Sequence, residues 1–206
     1  MSADGPSYPL LSFPDPITGG KPPTEWSRSD AREVLDWLVR MVGPRTDAFL
    51  EWVGASWADD RDLVLARVEA QATSLVRSPG FAEHASGPTT IVLRGRAIQY
   101  DEGLLLTAYG EALGVDIGLT LARYLQTELA DAVSWVTERH GSTNVSYNLP
   151  VLLGPEAAFD PMLIGPTVAR TLLKDERPGW KSLSALYATW AGMMGRPPEG
   201  SSVPRA

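Results

Sequence analysis

The chain contains no cysteine and only two histidines among its 206 residues. The lack of cysteine excludes disulfides, thiolate catalysis and cysteine-based zinc sites, and it fits a reducing compartment. No His-x-x-His or His-Glu-x-x-His spacing occurs, so the sequence predicts no metal site. It also contains no Walker-type or dinucleotide-binding loop, and we expect no cofactor.

Basic residues and uninterrupted apolar runs are also scarce. The chain has 18 lysines and arginines against 25 acidic residues, which gives a formal net charge of −7. This balance argues against a general affinity for nucleic acid or anionic lipid. The N-terminal residues lack a basic region followed by an apolar core, so no signal peptide is predicted. We expect an acidic, cytoplasmic protein.

The length and the distribution of proline and glycine predict the domain organisation. A chain of 206 residues is long enough to bury one core. Residues 1–24 are rich in proline and glycine, so they are predicted to form a non-helical arm. The globular domain is assigned to residues 25–194, and residues 195–206 are expected to be a flexible tail. The apolar residues that could dock the arm are Tyr8, Leu10, Leu11 and Phe13.

The longest segment with one helical period runs from Leu104 to Leu129. At about 100° per residue, its apolar residues share one broad face with Gly110, Gly114 and Gly118. Each interior glycine costs roughly 0.8–1 kcal/mol relative to alanine, and tertiary packing must offset that cost. We therefore expect a largely buried helix whose glycines let another backbone approach closely. The polar residues of the narrow opposite stripe are expected to face solvent: Asp116, Thr120, Arg123 and Thr127.

The remaining periodicity predicts shorter elements around this helix. Runs of β-branched residues predict strands at 89–93 and 97–100, and residues 133–153 alternate as a β-hairpin. Residues 81–88 are predicted to be a loop. The predicted helices run from Ser27–Asp30 to Gly43-Pro44, over 47–53, from Asp59 or Asp60 to Pro79-Gly80, from Asp160, and over 183–194. The predicted fold is a mainly helical α+β domain with its long central helix packed on a small antiparallel sheet.

The order of these elements resembles a known domain. The helix LGVDIGLTLARYL, the strand VSWV, a polar turn and the strand PVLL are similar to an uncharacterised domain found in many bacterial proteins. The resemblance covers roughly residues 104–174, and the motif consists mainly of core spacing. It implies a helix packed on a small sheet, and it implies no activity.

Two residues could carry catalysis. Glu111 lies at the edge of the apolar face, where desolvation would raise its pKa and let it act as an acid or base. The alternative is a structural ion pair with an arginine such as Arg94 or Arg96. His140 lies in a polar turn, where functional residues are common, although no orienting partner lies near it in the sequence. Together they would indicate a hydrolase or transferase with a cleft beside the hairpin.

The seven tryptophans favour a different function. Trp26, Trp57 and Trp180 lie at element starts or in loops, where they either cover the core or form a contact surface. A small acidic protein with such residues suits a basic partner, and no catalytic constellation is complete. The sequence therefore favours a non-enzymatic protein-interaction module of accessory, adaptor or toxin-neutralising type. The hydrolase or transferase remains the alternative.

Overall fold

The computed structural model describes residues 8, 10, 12–19, 21–87, 89–93, 96–100, 103–139, 146–175 and 179–195, with backbone only between 89 and 100. These residues form a mainly helical α+β domain with six α-helices and seven strands. The helices are α1 (Asp15–Thr18), α2 (Arg28–Trp52), α3 (Arg61–Leu75), α4 (Ala108–Leu129), α5 (Pro161–Lys174) and α6 (Leu183–Met194). The strands are β1 (Ala82–Ala85), β2 (Thr89–Leu93), β3 (Arg96–Tyr100), β4 (Gly103–Leu106), β5 (Ser134–Thr137), β6 (Pro150–Leu153) and β7 (Ala158–Phe159). None of the described helices is long and apolar enough to cross a bilayer.

The central helix α4 carries the predicted glycine ridge, and the ridge is buried. A Cβ built on Gly114 would lie 2.5 Å from the Pro166 Cα of α5, and one on Gly118 would collide with the Pro161 backbone. A Cβ on Gly110 would meet the Phe81 carbonyl oxygen. The prediction that these glycines admit a neighbouring backbone is therefore confirmed. Because α5 of the same chain lies on the ridge, the ridge is not available as a dimer interface.

The helix α4 begins later than its apolar period predicts. Gly103–Leu106 is strand β4, which pairs antiparallel with β1, and Thr107 caps the helix. The prediction of a loop at residues 81–88 is also wrong, because Ala82–Ala85 forms β1, the strand that pairs with β4. Its sequence, Ala-Glu-His-Ala, lacks β-branched and aromatic residues. The pairing is formed with residues about twenty positions away, which local propensity does not reveal.

The helix α2 is one continuous helix, although two were predicted with a break at Gly43-Pro44. Proline removes one backbone hydrogen bond and usually kinks or ends a helix. Here packing on both sides of the proline keeps the helix continuous. The buried residues are Leu38 and Val42 before it, and Phe49 and Leu50 after it. The Gly43 carbonyl also accepts a hydrogen bond from Arg123 Nη1 at 3.2 Å.

Helix α5 likewise continues through an interior proline, Pro166. Its predicted N-cap is confirmed, since Asp160 accepts hydrogen bonds from the backbone of Met162 and Leu163. The N-cap of α3 is Asp60, one of the two residues predicted.

Three small antiparallel sheets accompany the helices: β1 with β4, β2 with β3, and β5-β6-β7. The predicted strands at 89–93 and 97–100 and the predicted hairpin are confirmed, with Trp135 opposite Leu152. Pro150 begins strand β6 and pairs with Thr137 of β5. On its other side it lies at an edge, because β7 pairs with Leu152 and Leu153, and proline is tolerated at such a position.

Two of the four polar residues of α4 that were expected to face solvent are buried, so the prediction is wrong for Asp116 and Thr120. It is correct for Thr127, which is exposed, and Arg123 is partly exposed. Asp116 is 1% exposed, and Thr120 is fully buried. Arg45 of α2 donates hydrogen bonds to both carboxylate oxygens of Asp116, from Nε at 2.7 Å and from Nη2 at 2.5 Å. Burial raises the pKa of Asp116, and the hydrogen bonds from Arg45 oppose that rise. A buried polar contact between two helices has the same helical spacing as a solvated face.

The N-terminal arm completes this buried ion pair. Tyr8 is 4% exposed, and its hydroxyl donates a hydrogen bond to the second carboxylate oxygen of Asp116. The Phe13 and Trp37 ring centroids lie 5.3 Å apart, whereas Leu10 is 50% exposed. Docking through Tyr8 and Phe13 is confirmed, and Leu11 lies outside the described residues. The arm also contains the short helix α1, contrary to the prediction, because Pro16 occupies its first turn.

Replacing Tyr8 by phenylalanine tests whether the arm is fastened through this hydroxyl. Hydrogen bonds to charged groups contribute about 1.5–3 kcal/mol, so Tyr8→Phe is expected to lower the free energy of unfolding by about that much. Urea denaturation measures the loss. A loss below about 0.5 kcal/mol, the usual scatter of surface changes, would show that the hydroxyl contributes nothing.

Candidate functional site

A cluster of stacked aromatic rings lies where α2 ends, α3 begins and α4 ends. Trp57 stacks on Tyr124 with ring centroids 4.2 Å apart, and Tyr124 meets Tyr187 edge to face at 6.3 Å. The Arg123 guanidinium lies 4.0 Å from the Trp57 centroid, and the Arg61 guanidinium lies 4.5 Å from the Tyr187 centroid. These cation–π contacts fix both aromatic side chains.

Exposed carboxylates surround these rings. Arg123 donates to Asp47 Oδ1 at 2.5 Å, and Arg61 pairs with Glu128 and with Asp62. Asp59 and Asp60 are exposed and precede Arg61 directly. We call the set of Trp57, Tyr124, Tyr187 and these charged residues the Trp57 surface. It carries five carboxylates and two guanidiniums, so it has a net negative charge.

Burial determines the protonation of the two tyrosines of the Trp57 surface. Burial raises the pKa of Tyr124, and burial followed by the Glu128 carboxylate raises the pKa of Tyr187. Both hydroxyls therefore keep their protons at neutral pH. The Tyr124 hydroxyl is buried without a hydrogen-bond partner in the described part of the chain. Such a group costs about 1–3 kcal/mol of stability.

Of the three predicted contact tryptophans, Trp57 is the one placed among charged, exposed residues. Trp26 is 6% exposed, and its Nε1 donates to the Lys21 carbonyl at 2.9 Å, so it lies in the core and offers no contact face. Of the two roles that the sequence left open, this burial favours covering the core. Trp180, like Trp57, is half-buried and packs against the main core.

Glu111 forms an ion pair and lines one small cavity in the described part of the chain. Arg170 Nη2 of α5 donates to Glu111 Oε1 at 2.5 Å. The predicted structural ion pair with an arginine is thus present, with Arg170 as one partner. Arg94 and the side chain of Arg96 lie outside the described part of the chain, so pairing with them stays a prediction. The adjoining cavity between β4 and α5 has a volume of about 10 Å³, which holds one water molecule and no substrate.

His140 lies outside the described residues, so its proximity to Glu111 stays a prediction. The groove beside the hairpin is lined by a different set of residues from the Glu111 cavity. Among the residues with described positions, no group of three or more acidic or histidine side chains could hold a metal ion. The hydrolase or transferase alternative therefore gains no support from these contacts.

No protein family, no curated protein and no solved structure matches this chain. Its function must therefore be argued from its own geometry.

Proposed function

We propose that this protein is a non-enzymatic interaction module that binds a basic protein partner through the Trp57 surface. The observation that carries the proposal is the juxtaposition of a rigid aromatic stack with a rim of exposed carboxylates. Accessory, adaptor and toxin-neutralising proteins are the classes that such a surface suits.

The charge of the rim favours a partner rich in lysine and arginine. Five carboxylates project around the stack, and the chain as a whole carries a charge of −7. Complementary charge accelerates association and suppresses binding to acidic proteins. The ion pairs with Arg61 and Arg123 do not neutralise the negative charge of the rim, because the carboxylates outnumber these guanidiniums by three (five minus two).

The aromatic residues favour a site where binding energy is concentrated. Tryptophan, tyrosine and arginine dominate interface hot spots because they bury much area at a low cost in side-chain entropy. Trp57 is already held by Tyr124 and Arg123, so little of its freedom remains to be lost on binding. Leu63, next to Asp62 in the sequence, is 54% exposed and adds apolar area.

A charge reversal on the rim tests the proposal. Asp59→Lys/Asp62→Lys is expected to abolish recovery of the partner when the tagged protein is purified from its native host and the eluate is analysed by quantitative mass spectrometry. We expect a loss of at least tenfold relative to the wild type, because repulsion replaces attraction at two positions.

The matched control is Glu33→Lys/Glu83→Lys, which changes the net charge equally at two other exposed positions. Glu33 lies about 21 Å along α2 from Asp47, at 1.5 Å per residue. The control is expected to retain the partner, and circular dichroism should show both variants folded. Equal loss in both variants, or an equally recovered partner in both, would contradict the proposal.

A further inference from the structure

An open groove of about 390 Å³ lies between the first turns of α2 and the end of β5. It is lined by Arg28, Arg32, Leu35, Asp36, Thr137 and Arg139. Its volume falls within the range of about 300–1,000 Å³ typical of small-molecule sites. The groove residues of α2 lie between about 16 Å (Asp36) and about 28 Å (Arg28) along the helix from Asp47, so the groove is separate from the Trp57 surface.

The groove is positively charged on an acidic protein. Three guanidiniums face a single carboxylate, which gives a formal local charge of +2 (three minus one). Asp36 is an incomplete counter-ion, since its Oδ2 lies 3.8 Å from Arg32 Nε and both side chains are more than half exposed. Within the described ranges, Arg28 forms no ion pair. The groove thus lacks the negative charge that would neutralise it.

One of the three arginines is held in place by a buried side chain. Arg139 Nη1 donates to Asn148 Oδ1 at 2.6 Å, and Asn148 is 2% exposed. Asn148 Nδ2 in turn donates to the Pro23 carbonyl at 2.6 Å, immediately before α2. This chain of hydrogen bonds ties the end of β5 to the start of α2. It also restrains the Arg139 guanidinium before any ligand arrives, which lowers the entropic cost of binding.

We propose that this groove binds a small organic phosphate. A phosphomonoester carries a charge of about −1.5 to −2 at pH 7, which matches the local charge. Its three oxygens suit the planar forks of arginine, which bind phosphate in bidentate fashion. Leu35 supplies apolar contact for the organic part of the ligand, and the Thr137 hydroxyl supplies a further polar contact.

Isothermal titration calorimetry at constant ionic strength tests this proposal with three probes: inorganic phosphate, phenyl phosphate and succinate. Phenyl phosphate is expected to bind more tightly than inorganic phosphate, because only the ester contacts Leu35. Succinate is expected to bind at least tenfold more weakly than phenyl phosphate. Arg28→Gln and Arg139→Gln are each expected to weaken phenyl phosphate binding about tenfold.

The control is Lys174→Gln, which removes an exposed cation at the end of α5, outside the groove. It is expected to leave the affinity unchanged. Three results would each overturn the proposal: no saturable binding of phenyl phosphate at millimolar concentration, equal affinity for succinate, or equal weakening by Lys174→Gln and Arg28→Gln. Arg28→Gln is the decisive variant, since Arg28 is exposed and pairs with no described residue, so its loss is expected to leave the fold intact. None of these outcomes depends on the Trp57 surface.

Discussion

Gly118→Ala is expected to lower the free energy of unfolding by about 3 kcal/mol, the upper end of the usual cost of overpacking. The new Cβ would collide with the carbonyl oxygen of Pro161, and it would lie 2.8 Å from the Pro161 carbonyl carbon. Both atoms belong to the backbone at the start of α5, so no side chain can rotate away. Relief requires that α4 and α5 move apart.

Gly192→Ala in α6 is the matched control for this substitution. A Cβ at Gly192 would have no atom within 4 Å, and the residue is exposed. Alanine favours a helix over glycine by about 0.8–1 kcal/mol, so the control is expected to become slightly more stable. Urea denaturation of both variants gives the comparison. A stability change of the same sign and size in both would show that the contact between α4 and α5 does not depend on glycine.

The second large effect is expected at the buried ion pair. Arg45→Met leaves the Asp116 carboxylate without its guanidinium in a site that is 1% exposed. Removal of one member of a buried pair costs about 3–5 kcal/mol, because the remaining charge stays desolvated. We expect a loss of that size in the free energy of unfolding at pH 7.

This loss is expected to depend on pH in a definite direction. Burial raises the pKa of Asp116, and Arg45 opposes that rise, so the variant's folded pKa should lie further above the unfolded value. A group with a raised folded pKa stabilises the protein below its unfolded pKa, roughly pH 4 for aspartate, and loses that stabilisation as the pH rises. The difference between wild type and Arg45→Met should therefore be small near pH 4 and largest near pH 7.

Two further variants make the comparison specific. Arg32→Met breaks the exposed pair with Asp36 and is expected to cost no more than about 1 kcal/mol. Arg45→Met/Asp116→Leu removes both charges and is expected to recover part of the stability, since apolar replacement of a buried pair is often neutral. Denaturation curves between pH 4 and pH 7 test all of these expectations. A pH-independent loss in Arg45→Met would contradict the account of Asp116 as a buried charge.

The parts of the fold that could be predicted are those that the local spacing of apolar, polar and glycine residues indicates. The glycine ridge, the hairpin and the caps at Asp60 and Asp160 follow from spacing and side-chain chemistry. The strand β1 could not be predicted, because its partner β4 lies about twenty residues away along the chain. Its own sequence contains no β-branched or aromatic residue that would indicate a strand. Pro44 misled the prediction of α2, because tertiary packing on both sides of it outweighs one lost hydrogen bond.

The candidate site was only partly predictable. Trp57 was identified from its position in a loop, and the run Asp59-Asp60-Arg61-Asp62 offered a signal of an acidic surface beside it. Glu128 joins that surface through Arg61, a contact that spans 67 residues and leaves no trace in local sequence. Asp116 was wrongly predicted to face solvent. Helical periodicity distinguishes a polar face from an apolar one, but it does not show whether the polar face contacts water or a polar residue of another helix. The three arginines of the groove between α2 and β5 come from two distant segments of the sequence, and only the folded structure brings them together.

Site-specific photo-crosslinking in the native host tests the central claim, that the Trp57 surface is where a partner binds. A photoreactive amino acid replaces Ala58, which is exposed next to Trp57, or Glu33, which is exposed on α2 away from the Trp57 surface. We expect a discrete crosslinked protein from position 58, absent from position 33 and lost when Asp59→Lys/Asp62→Lys is added. No crosslink from position 58, or the same crosslink from both positions, would contradict that claim.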